Sequence, residues 1–394
     1  MLFQGITNRK FAETLRQSLE NSPVTAILGP RQCGKTTLVK MLTENNENFI
    51  LLDLERPSDR NILQQDAESF FELHDSKIIC LDEIQNIPEL FPVLRYSIDK
   101  NRRNGKFIIL GSASPDLLKQ SSESLAGRIK YIEMTPFQID EVASFPDPLR
   151  NLWNRGGFPL SFLANNDELS FDWRESFVKT FLQRDIAQLG FNVSANQMLR
   201  IWTMFAHYNC DILNRSKLGE SLGVSHHTVN HYIDILSDTF MLRVLPPFEA
   251  NLKKRLVKSP KILFRDNGIL HYLLNIKNFE ELFAHHDYGT SFESFAIEQI
   301  LSGIGLYRKF NAYFYRSHQG EEIDLLLDNQ KSLIAIEIKS SSAPQIPKGF
   351  RIALENLKIK QAFVVAPVDK PYFVGENIFV CTVSECINNL LEIL

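Results

Sequence analysis

The sequence feature that most constrains the fold is a glycine-rich segment that directly follows a short apolar run. The run Thr25–Leu28 suits a buried parallel strand, and residues 29–36 then read GPRQCGKT, which fits the pattern G-x-x-x-x-G-K-[ST]. Apolar residues at helical spacing follow in Thr37–Leu42. Loop amides followed by a helix N-terminus favour the binding of an anion. The segment therefore predicts a strand, a loop and a helix that together cradle the phosphates of a nucleotide.

The same segment assigns roles to individual side chains. Lys35 is expected to reach the β- and γ-phosphates of ATP or GTP, and the Thr36 hydroxyl is expected to ligate Mg²⁺. We predict nucleotide contacts along the whole segment, from Gly29, Pro30, Arg31, Gln32, Cys33, Gly34, Lys35, Thr36 and Thr37.

A pair of carboxylates follows the next predicted strand. Asp82 and Glu83 come directly after Lys77–Leu81, at the edge where open α/β sheets bind their ligands. Asp82 is expected to hold Mg²⁺ through its water shell, and Glu83 is expected to act as the general base toward the attacking water. The alternative is an exposed pair of acids at a strand end, which is a common arrangement.

Two further residues are candidates for contact with the nucleotide. Ser112 follows the strand Phe107–Leu110, where a hydroxyl can sense the γ-phosphate, although Gly111 and Ser112 can equally serve only to turn the chain. Arg128 precedes the strand Ile129–Ile132 and can supply charge to a transition state, on its own nucleotide or on that of a neighbouring copy. The alternative for Arg128 is a solvated surface cation.

These segments together resemble the AAA+-type ATPase domain of a widespread prokaryotic family. The resemblance rests on Gly29–Thr36, Leu81–Gln85, Gly111–Ser112 and Leu125–Arg128. Members of that family join the ATPase to a C-terminal domain of unknown function, and two later segments, Gly156–Pro159 and Lys258–Leu270, resemble its landmarks. The resemblance covers nearly the whole chain. It implies ATP rather than GTP, because the sequence shows no guanine-recognition motif of the Asn-Lys-x-Asp kind.

A helical lid is predicted after the first domain. From Phe137 to Leu189 apolar and polar residues alternate at helical spacing. The candidate core residues of this lid are Phe171, Phe177, Val178, Phe181 and Leu182. Arg174 and Arg184 are interpreted either as phosphate sensors or as surface charges.

Residues 215–245 carry a helix-turn-helix pattern. Leu218 and Leu222 form one short apolar face, and Gly223 ends it. The next helix has apolar residues at i, i+4 and i+7, namely Val229, Ile233 and Leu236.

The exposed side of this pattern could face DNA. Ser225 is expected to cap the second helix, which leaves His226, His227 and Asn230 facing outward, and Thr239–Leu245 would supply the wing of a winged-helix domain. Helix-turn-helix units also serve for packing between proteins, so both uses stay open.

Two alternating segments near the C-terminus predict a β-hairpin. They are Glu321–Leu327 and Leu333–Lys339, with turn residues between them. A four-residue loop places Asp324 directly opposite Glu337. Because paired Cβ atoms lie about 5 Å apart, Asp324, Glu337 and Lys339 are expected to converge on one face, with the other face apolar.

This convergence has the chemistry of a metal-dependent nuclease. Two carboxylates can share one Mg²⁺, and an adjacent lysine can orient or deprotonate a water and offset charge on a scissile phosphate. The pattern D-x₁₂-E-x-K resembles the restriction-endonuclease-like PD-(D/E)xK superfamily, with Ile323 in the place of its proline. That resemblance makes Glu293 a third candidate metal ligand and Gln361 a fourth polar group. The alternatives are a cross-strand ion pair on a solvated face, and a retained fold that does not cleave.

Charge, cysteine content and hydropathy indicate which partners the protein contacts and which cell compartment it occupies. The net charge is only −4, but the basic residues of one short stretch favour contact with phosphate, namely Lys253, Lys254, Arg255, Lys258 and Lys261. The five cysteines form no CxxC pair, so we predict reduced, mostly buried thiols. No run approaches the roughly 20 apolar residues that cross a bilayer, which indicates a cytoplasmic protein with no membrane contact.

The sequence thus predicts an α/β multidomain protein with four parts. These are a P-loop AAA+-like ATPase core with a parallel sheet at 1–136, a helical lid at 137–190, a winged-helix segment at 191–255 and an α/β restriction-endonuclease-like domain at 256–394. The function predicted is ATP-dependent control of DNA binding or DNA cleavage, with self-association as an option. The rival is a nucleotide-dependent switch that recruits a protein partner and does not cleave.

Overall fold

A computed structural model describes residues 10–43, 46–111, 123–188, 191, 193–249, 259–305 and 310–393. These residues divide into two units. The first takes the described residues up to Pro136 together with Asp238–Phe240, and the second takes Phe137–Ser237 and Met241–Leu394. Ser112 lies outside the described residues, as do four of the basic candidates, Lys253, Lys254, Arg255 and Lys258.

A parallel sheet forms the centre of the first unit. Its strands are β1 Val24–Leu28, β2 Phe49–Asp53, β3 Ile78–Asp82, β4 Phe107–Gly111 and β5 Ile129–Glu133. The helices are α1 Lys10–Asn21, α2 Lys35–Thr43, α3 Pro57–Leu73 and α4 Leu90–Lys100. The spatial order is β2-β3-β4-β1-β5, and every pairing is parallel. Every residue of β1 and β4 is buried, as their unbroken apolar runs predict for strands covered on both faces.

Helices open the second unit. They are α5 Pro148–Arg155, α6 Pro159–Phe162, α7 Asp167–Thr180, a π-helical turn at Phe181–Asp185, α8 Ile186–Gln188 and α9 Ala195–Ala206. Of the predicted core residues of the lid, four are buried and Phe171 is partly exposed; the four are Phe177, Val178, Phe181 and Leu182.

The helix-turn-helix segment follows, with α10 Arg215–Leu222 and α11 His226–Asp238. Gly223 ends α10 with a left-handed φ of 68°, which favours glycine, and the Ser225 hydroxyl accepts the Thr228 N–H at 3.1 Å, as predicted for the cap. The strands β6 Leu242–Leu245 and β7 Lys261–Phe264 come next and pair antiparallel. This small sheet spans the boundary that the sequence predicts between residues 255 and 256.

A six-stranded sheet occupies the C-terminal part of the second unit. Its strands are β8 Asn311–Arg316, β9 Glu322–Asp328, β10 Leu333–Ile338, β11 Gln361–Val365, β12 Tyr372–Val374 and β13 Ile378–Cys381, in the order β12-β13-β11-β10-β9-β8. The accompanying helices are α12 Asn267–Leu273, α13 Phe279–Ala284, α14 Tyr288–Gly305, α15 Lys348–Asn356 and α16 Val383–Ile393. Leu333 pairs with Asp328 and Ile336 pairs with Leu325, so the predicted hairpin register is confirmed.

Two landmark segments of the sequence meet inside the second unit. The Asp266 carboxylate accepts the Gly157 N–H at 2.7 Å and caps α12 by accepting the Ile269 N–H at 3.0 Å. A Cβ on Gly268 would lie 2.1 Å from the carbonyl oxygen of Arg155. The two segments are therefore joined by the Asp266 side chain and by a close backbone approach, and their sequence pattern has a structural cause.

Arg174 is not the surface charge that one interpretation of the sequence proposed. It is fully buried, and its guanidinium donates to the carbonyl oxygens of Ser170, Asn154 and Gly268 at 3.1–3.3 Å. Burial lowers the pKa of Arg174 to about 10. The side chain joins three backbone segments of the second unit. Arg184 is exposed on the π-helical turn.

The cysteine prediction is confirmed, because all five cysteines are buried and none forms a disulfide. Among the described residues, no helix combines the length and the apolar character that a bilayer crossing requires.

The contact between Gly268 and Arg155 gives a prediction for stability. We expect Gly268→Ala to lower the free energy of unfolding by about 1–3 kcal/mol, because the new methyl group can be accommodated only if backbone moves. Gly305→Ala is the matched control, since a Cβ there meets nothing within 4 Å. Urea denaturation followed by circular dichroism measures both variants. Equal stability of the two variants would contradict this close approach.

Candidate functional site

The loop between β1 and α2 has a backbone shaped for phosphate. Gln32 and Gly34 have φ angles of 62° and 101°, and left-handed positions of this kind turn successive amides toward one concave side. Gly29 is required by close packing, because a Cβ there would lie 2.1 Å from the carbonyl oxygen of Met134. Cys33 is buried with its Sγ 3.7 Å from the same oxygen.

Lys35 and Thr36 lie as the motif predicts, at the start of α2. The Lys35 ammonium donates to the carbonyl oxygens of Gly29 and Pro30, both at 2.9 Å, so it spans the loop. The Thr36 hydroxyl donates to Asp82 Oδ2 at 2.6 Å. Burial raises the pKa of the Asp82 carboxyl above its ordinary value, and the bond from Thr36 opposes that shift. A hydroxyl and a carboxylate in contact beside a phosphate-binding loop are a donor set that fits Mg²⁺.

Glu83 occupies a strained turn at the end of β3. Its φ and ψ of 56° and 49° are left-handed, which costs a non-glycine residue about 1–2 kcal/mol. The Gln85 side-chain amide donates to the Glu83 carboxylate. The chain therefore accepts backbone strain to direct this carboxylate, and a polar neighbour holds it.

Arg128 is engaged within the first unit. Its Nε and Nη2 donate to the two carboxylate oxygens of Asp99 at 2.7 and 3.0 Å, and its Nη1 donates to the carbonyl oxygen of Ala126. A role toward a nucleotide would require this bidentate pair to open. The other candidate of this kind, Ser112, is among the residues that the structure does not describe.

The C-terminal candidates come together on β9 and β10. Asp324 is 6% exposed, and its Oδ2 accepts the Ile338 N–H at 2.8 Å. Glu337 is 4% exposed, and its Oε1 accepts the Lys339 ammonium at 2.6 Å. The paired register ends at Ile336 with Leu325, one position before these two carboxylates. Such burial is inconsistent with the alternative of an ion pair on a solvated face.

The second oxygen of Glu337 has no partner. Glu337 Oε2 is buried and accepts no hydrogen bond from the described residues. Burial, together with the charge of Asp324, raises the pKa of Glu337 to about 8. Burial also raises the pKa of Asp324 above its ordinary value, although Lys261 and Lys339 oppose that shift. The chain therefore does not fully compensate the negative charge that it buries here.

Glu293, on α14, contacts the ammonium of Lys261, a partner that the sequence did not indicate. The Lys261 ammonium lies 3.0 Å from Glu293 Oε1 and 3.1 Å from Glu322 Oε1. Burial raises the pKa of Glu293 to about 7, with Lys261 opposing the shift.

Lys261 was listed with the basic residues expected to contact phosphate, but it is only 2% exposed and binds carboxylates instead. The sequence did contain an indication of this burial. Lys261 is the first residue of the apolar run Lys261–Phe264, and a charge at the edge of a buried strand needs a counter-charge.

Gln361 does not join the cluster. It is exposed at the first position of β11, where it pairs with Ile334. Ile334 lies three positions before Glu337 along β10, which is roughly 10 Å. The fourth polar group of the site is thus a lysine from β7 rather than this glutamine.

Three families match consecutive parts of the chain. Residues 21–143 match the family described as AAA domain, residues 146–280 match a domain of unknown function (DUF8612), and residues 288–386 match a domain of unknown function (DUF4143).

Relatives extend the match to nearly the whole chain. Uncharacterized proteins of Mycobacterium tuberculosis and Mycobacterium bovis are each 38% identical over 373 residues, which is 95% of this chain and 83% of theirs. The chain belongs to their family of P-loop ATPases. A further relative of this ATPase, an uncharacterized protein of Haemophilus influenzae, is 22% identical over 306 residues, which is 69% of the ATPase and 74% of the relative.

A solved structure agrees with the fold. The Walker-type ATPase PABY2304 of Pyrococcus abyssi superposes with a TM-score of 0.50 at 17% identity, over 70% of this ATPase and 100% of the archaeal chain. At this identity the likeness concerns the fold alone. It agrees with the parallel sheet and the loop that follows its first strand.

Two substitutions should affect nucleotide binding and ATP turnover differently. We expect Lys35→Ala to weaken ATP binding by at least about 100-fold, because the loop loses its only lysine directed across the phosphate cradle. Glu83→Gln should keep binding and lower turnover by about 10²–10⁴-fold, since the amide cannot accept a proton. A fluorescent ATP analogue reports binding, and phosphate release reports turnover.

Lys40→Ala is the matched control for the lysine variant, because Lys40 is exposed on the same helix α2. It should leave both properties unchanged. Equal hydrolysis by the wild type and Glu83→Gln would remove Glu83 from the role of base.

Proposed function

We propose that this ATPase uses its nucleotide state to control Mg²⁺-dependent cleavage of DNA at the C-terminal carboxylate cluster. The observation that carries the proposal is the buried, unpartnered Oε2 of Glu337 beside Asp324. A buried carboxylate oxygen without a donor is costly, and a bound proton or a bound cation removes that cost.

The cluster offers the oxygen donors that a hard divalent cation prefers. Asp324 and Glu337 would hold the ion, since Mg²⁺ prefers carboxylate oxygens and retains several waters. Glu293 would become a third ligand only if it left Lys261, whose ammonium lies 3.0 Å from its Oε1. When bound, such an ion supplies a Lewis acid that stabilises charge on a phosphate. The donor set consists of oxygens alone, which favours magnesium or manganese over zinc.

Lys339 would act on the substrate as a cation. Burial alone would lower the pKa of Lys339, but the charges of Glu337 and Asp324 outweigh it, and the pKa lies above its ordinary value. The group is therefore an ammonium at neutral pH. The sequence left two roles open for Lys339. An ammonium can orient a water and offset the charge of a phosphate, but it cannot deprotonate a water.

The ATP site supplies the control element of the proposal. Lys35 would neutralise the β- and γ-phosphates, and Thr36 with Asp82 would hold Mg²⁺. Glu83 would accept the proton of the attacking water on its carboxylate. Because ATP and its hydrolysis products differ in the γ-phosphate, these groups can distinguish two nucleotide states.

The helix-turn-helix segment is the proposed DNA contact. His226 and His227 are exposed at the start of α11, and Asn230 is half-buried behind them. The small sheet of β6 and β7 follows α11 as a wing would. A winged-helix use of this segment and a restriction-endonuclease-like use of the C-terminal sheet together favour DNA as the partner.

Cleavage is tested with plasmid DNA and Mg²⁺ or Mn²⁺. We expect nicking by the wild type, and we expect Asp324→Ala and Lys339→Ala to reduce it to background, because one removes an ion ligand and the other removes the cation that faces the phosphate. Asp328→Ala and Lys331→Ala are matched controls from the same hairpin and should cleave normally. Supercoiled, relaxed and linear forms are separated on a gel.

The rival function is a nucleotide-dependent switch that recruits a protein partner through a C-terminal domain without cleavage activity. It predicts intact DNA across duplex, single-stranded and branched substrates with either ion. That result, obtained with protein that still hydrolyses ATP, would falsify the nuclease proposal and leave the ATPase intact.

A further inference from the structure

Lys261 is the one member of the C-terminal cluster that comes from outside the β-hairpin and α14. Its ammonium bridges Glu293 Oε1 at 3.0 Å and Glu322 Oε1 at 3.1 Å. The ring of Phe314 lies 5.5 Å from the same ammonium. The side chain is 3% exposed, so solvent contributes little to its stabilisation and the carboxylates supply it.

The backbone of Lys261 is fixed on two sides. It pairs with Leu245 of β6 and forms a β-bridge with Ile212. Two further cations from this region, Arg243 and Arg265, bind Glu298 of α14 at 2.6 and 2.8 Å. The strand that carries Lys261 is thus anchored to the helix that carries Glu293, and the ammonium is held between the two carboxylates.

We propose that the Lys261 ammonium takes the place of a second divalent ion and so restricts the carboxylate cluster to one metal ion. This inference rests on the proposed metal site at Asp324 and Glu337. Two-metal sites place their ions about 3.5–4 Å apart and need carboxylates for both. Lys261 binds one oxygen each of Glu293 and Glu322, which are the carboxylates of the cluster that remain beyond Asp324 and Glu337.

Lys261 also supplies positive charge to this cluster. Four carboxylates, Asp324, Glu293, Glu322 and Glu337, lie with three cations, Lys261, Lys339 and Arg316. With every group ionised the excess is one negative charge. A single divalent ion already reverses it, so a second ion beside Lys261 would add positive charge without compensation.

The test counts Mn²⁺ ions on the full chain without nucleotide, by electron paramagnetic resonance of free and bound Mn²⁺. We expect Lys261→Met to bind one more ion than the wild type, with the broadened signal of two coupled Mn²⁺ centres. The wild type should show an uncoupled signal in the C-terminal site. Arg316→Met is the matched control, because Arg316 lies 3.6 Å from Glu322 Oε2 on its exposed side, and it should bind as the wild type does.

Two coupled ions in the wild type would overturn the role of Lys261 even if the Lys261→Met protein failed to fold. Equal stoichiometry in folded Lys261→Met and wild type would overturn it as well. The Asp324→Asn variant distinguishes failure of the role proposed for Lys261 from failure of the proposed metal site. If Asp324→Asn binds as many ions as the wild type, the metal site is not where we place it and both proposals fall.

Discussion

The burial of several carboxylates in one place is the constraint on which the C-terminal part of this chain depends. Asp324 and Glu337 lie on the two strands of a hairpin whose faces are both covered, so their charge is not dispersed into water. The negative charge is partly compensated by the backbone amide of Ile338 and by the ammonium groups of Lys339 and Lys261. This compensation is incomplete, and the shortfall gives the cluster its affinity for a cation in the proposed function.

The first unit meets a related constraint by different means. Its carboxylate, Asp82, is balanced by a hydroxyl, Thr36, rather than by an ammonium, and Lys35 rests on carbonyl oxygens of its own loop. Partners of this kind are easily exchanged for phosphate oxygens, because a hydrogen bond to a neutral group is weaker than an ion pair between buried charges. A nucleotide site that must fill and empty suits the weaker contacts, whereas the carboxylate cluster is held by the stronger ones.

The sequence predicted the contacts that short segments determine. The loop Gly29–Thr36 follows from one strand and one helix, and the pairing of β9 with β10 follows from alternation and a four-residue turn. Lys261 escaped prediction because its partners Glu293 and Glu322 lie 32 and 61 positions away, and no periodicity links them. Gln361 was misplaced for a similar reason, since a crossover helix sets the register of the parallel pair β10 and β11.

The central claim is that a nucleotide site and a carboxylate cluster serve one DNA-directed protein. This chain carries both parts, and coupling between them would make the nucleotide site respond to DNA. The most direct measurement is ATP turnover by the purified protein with and without duplex, single-stranded and branched DNA. We predict that at least one of these DNA structures stimulates turnover severalfold. Turnover that stays the same with every DNA structure would contradict the claim.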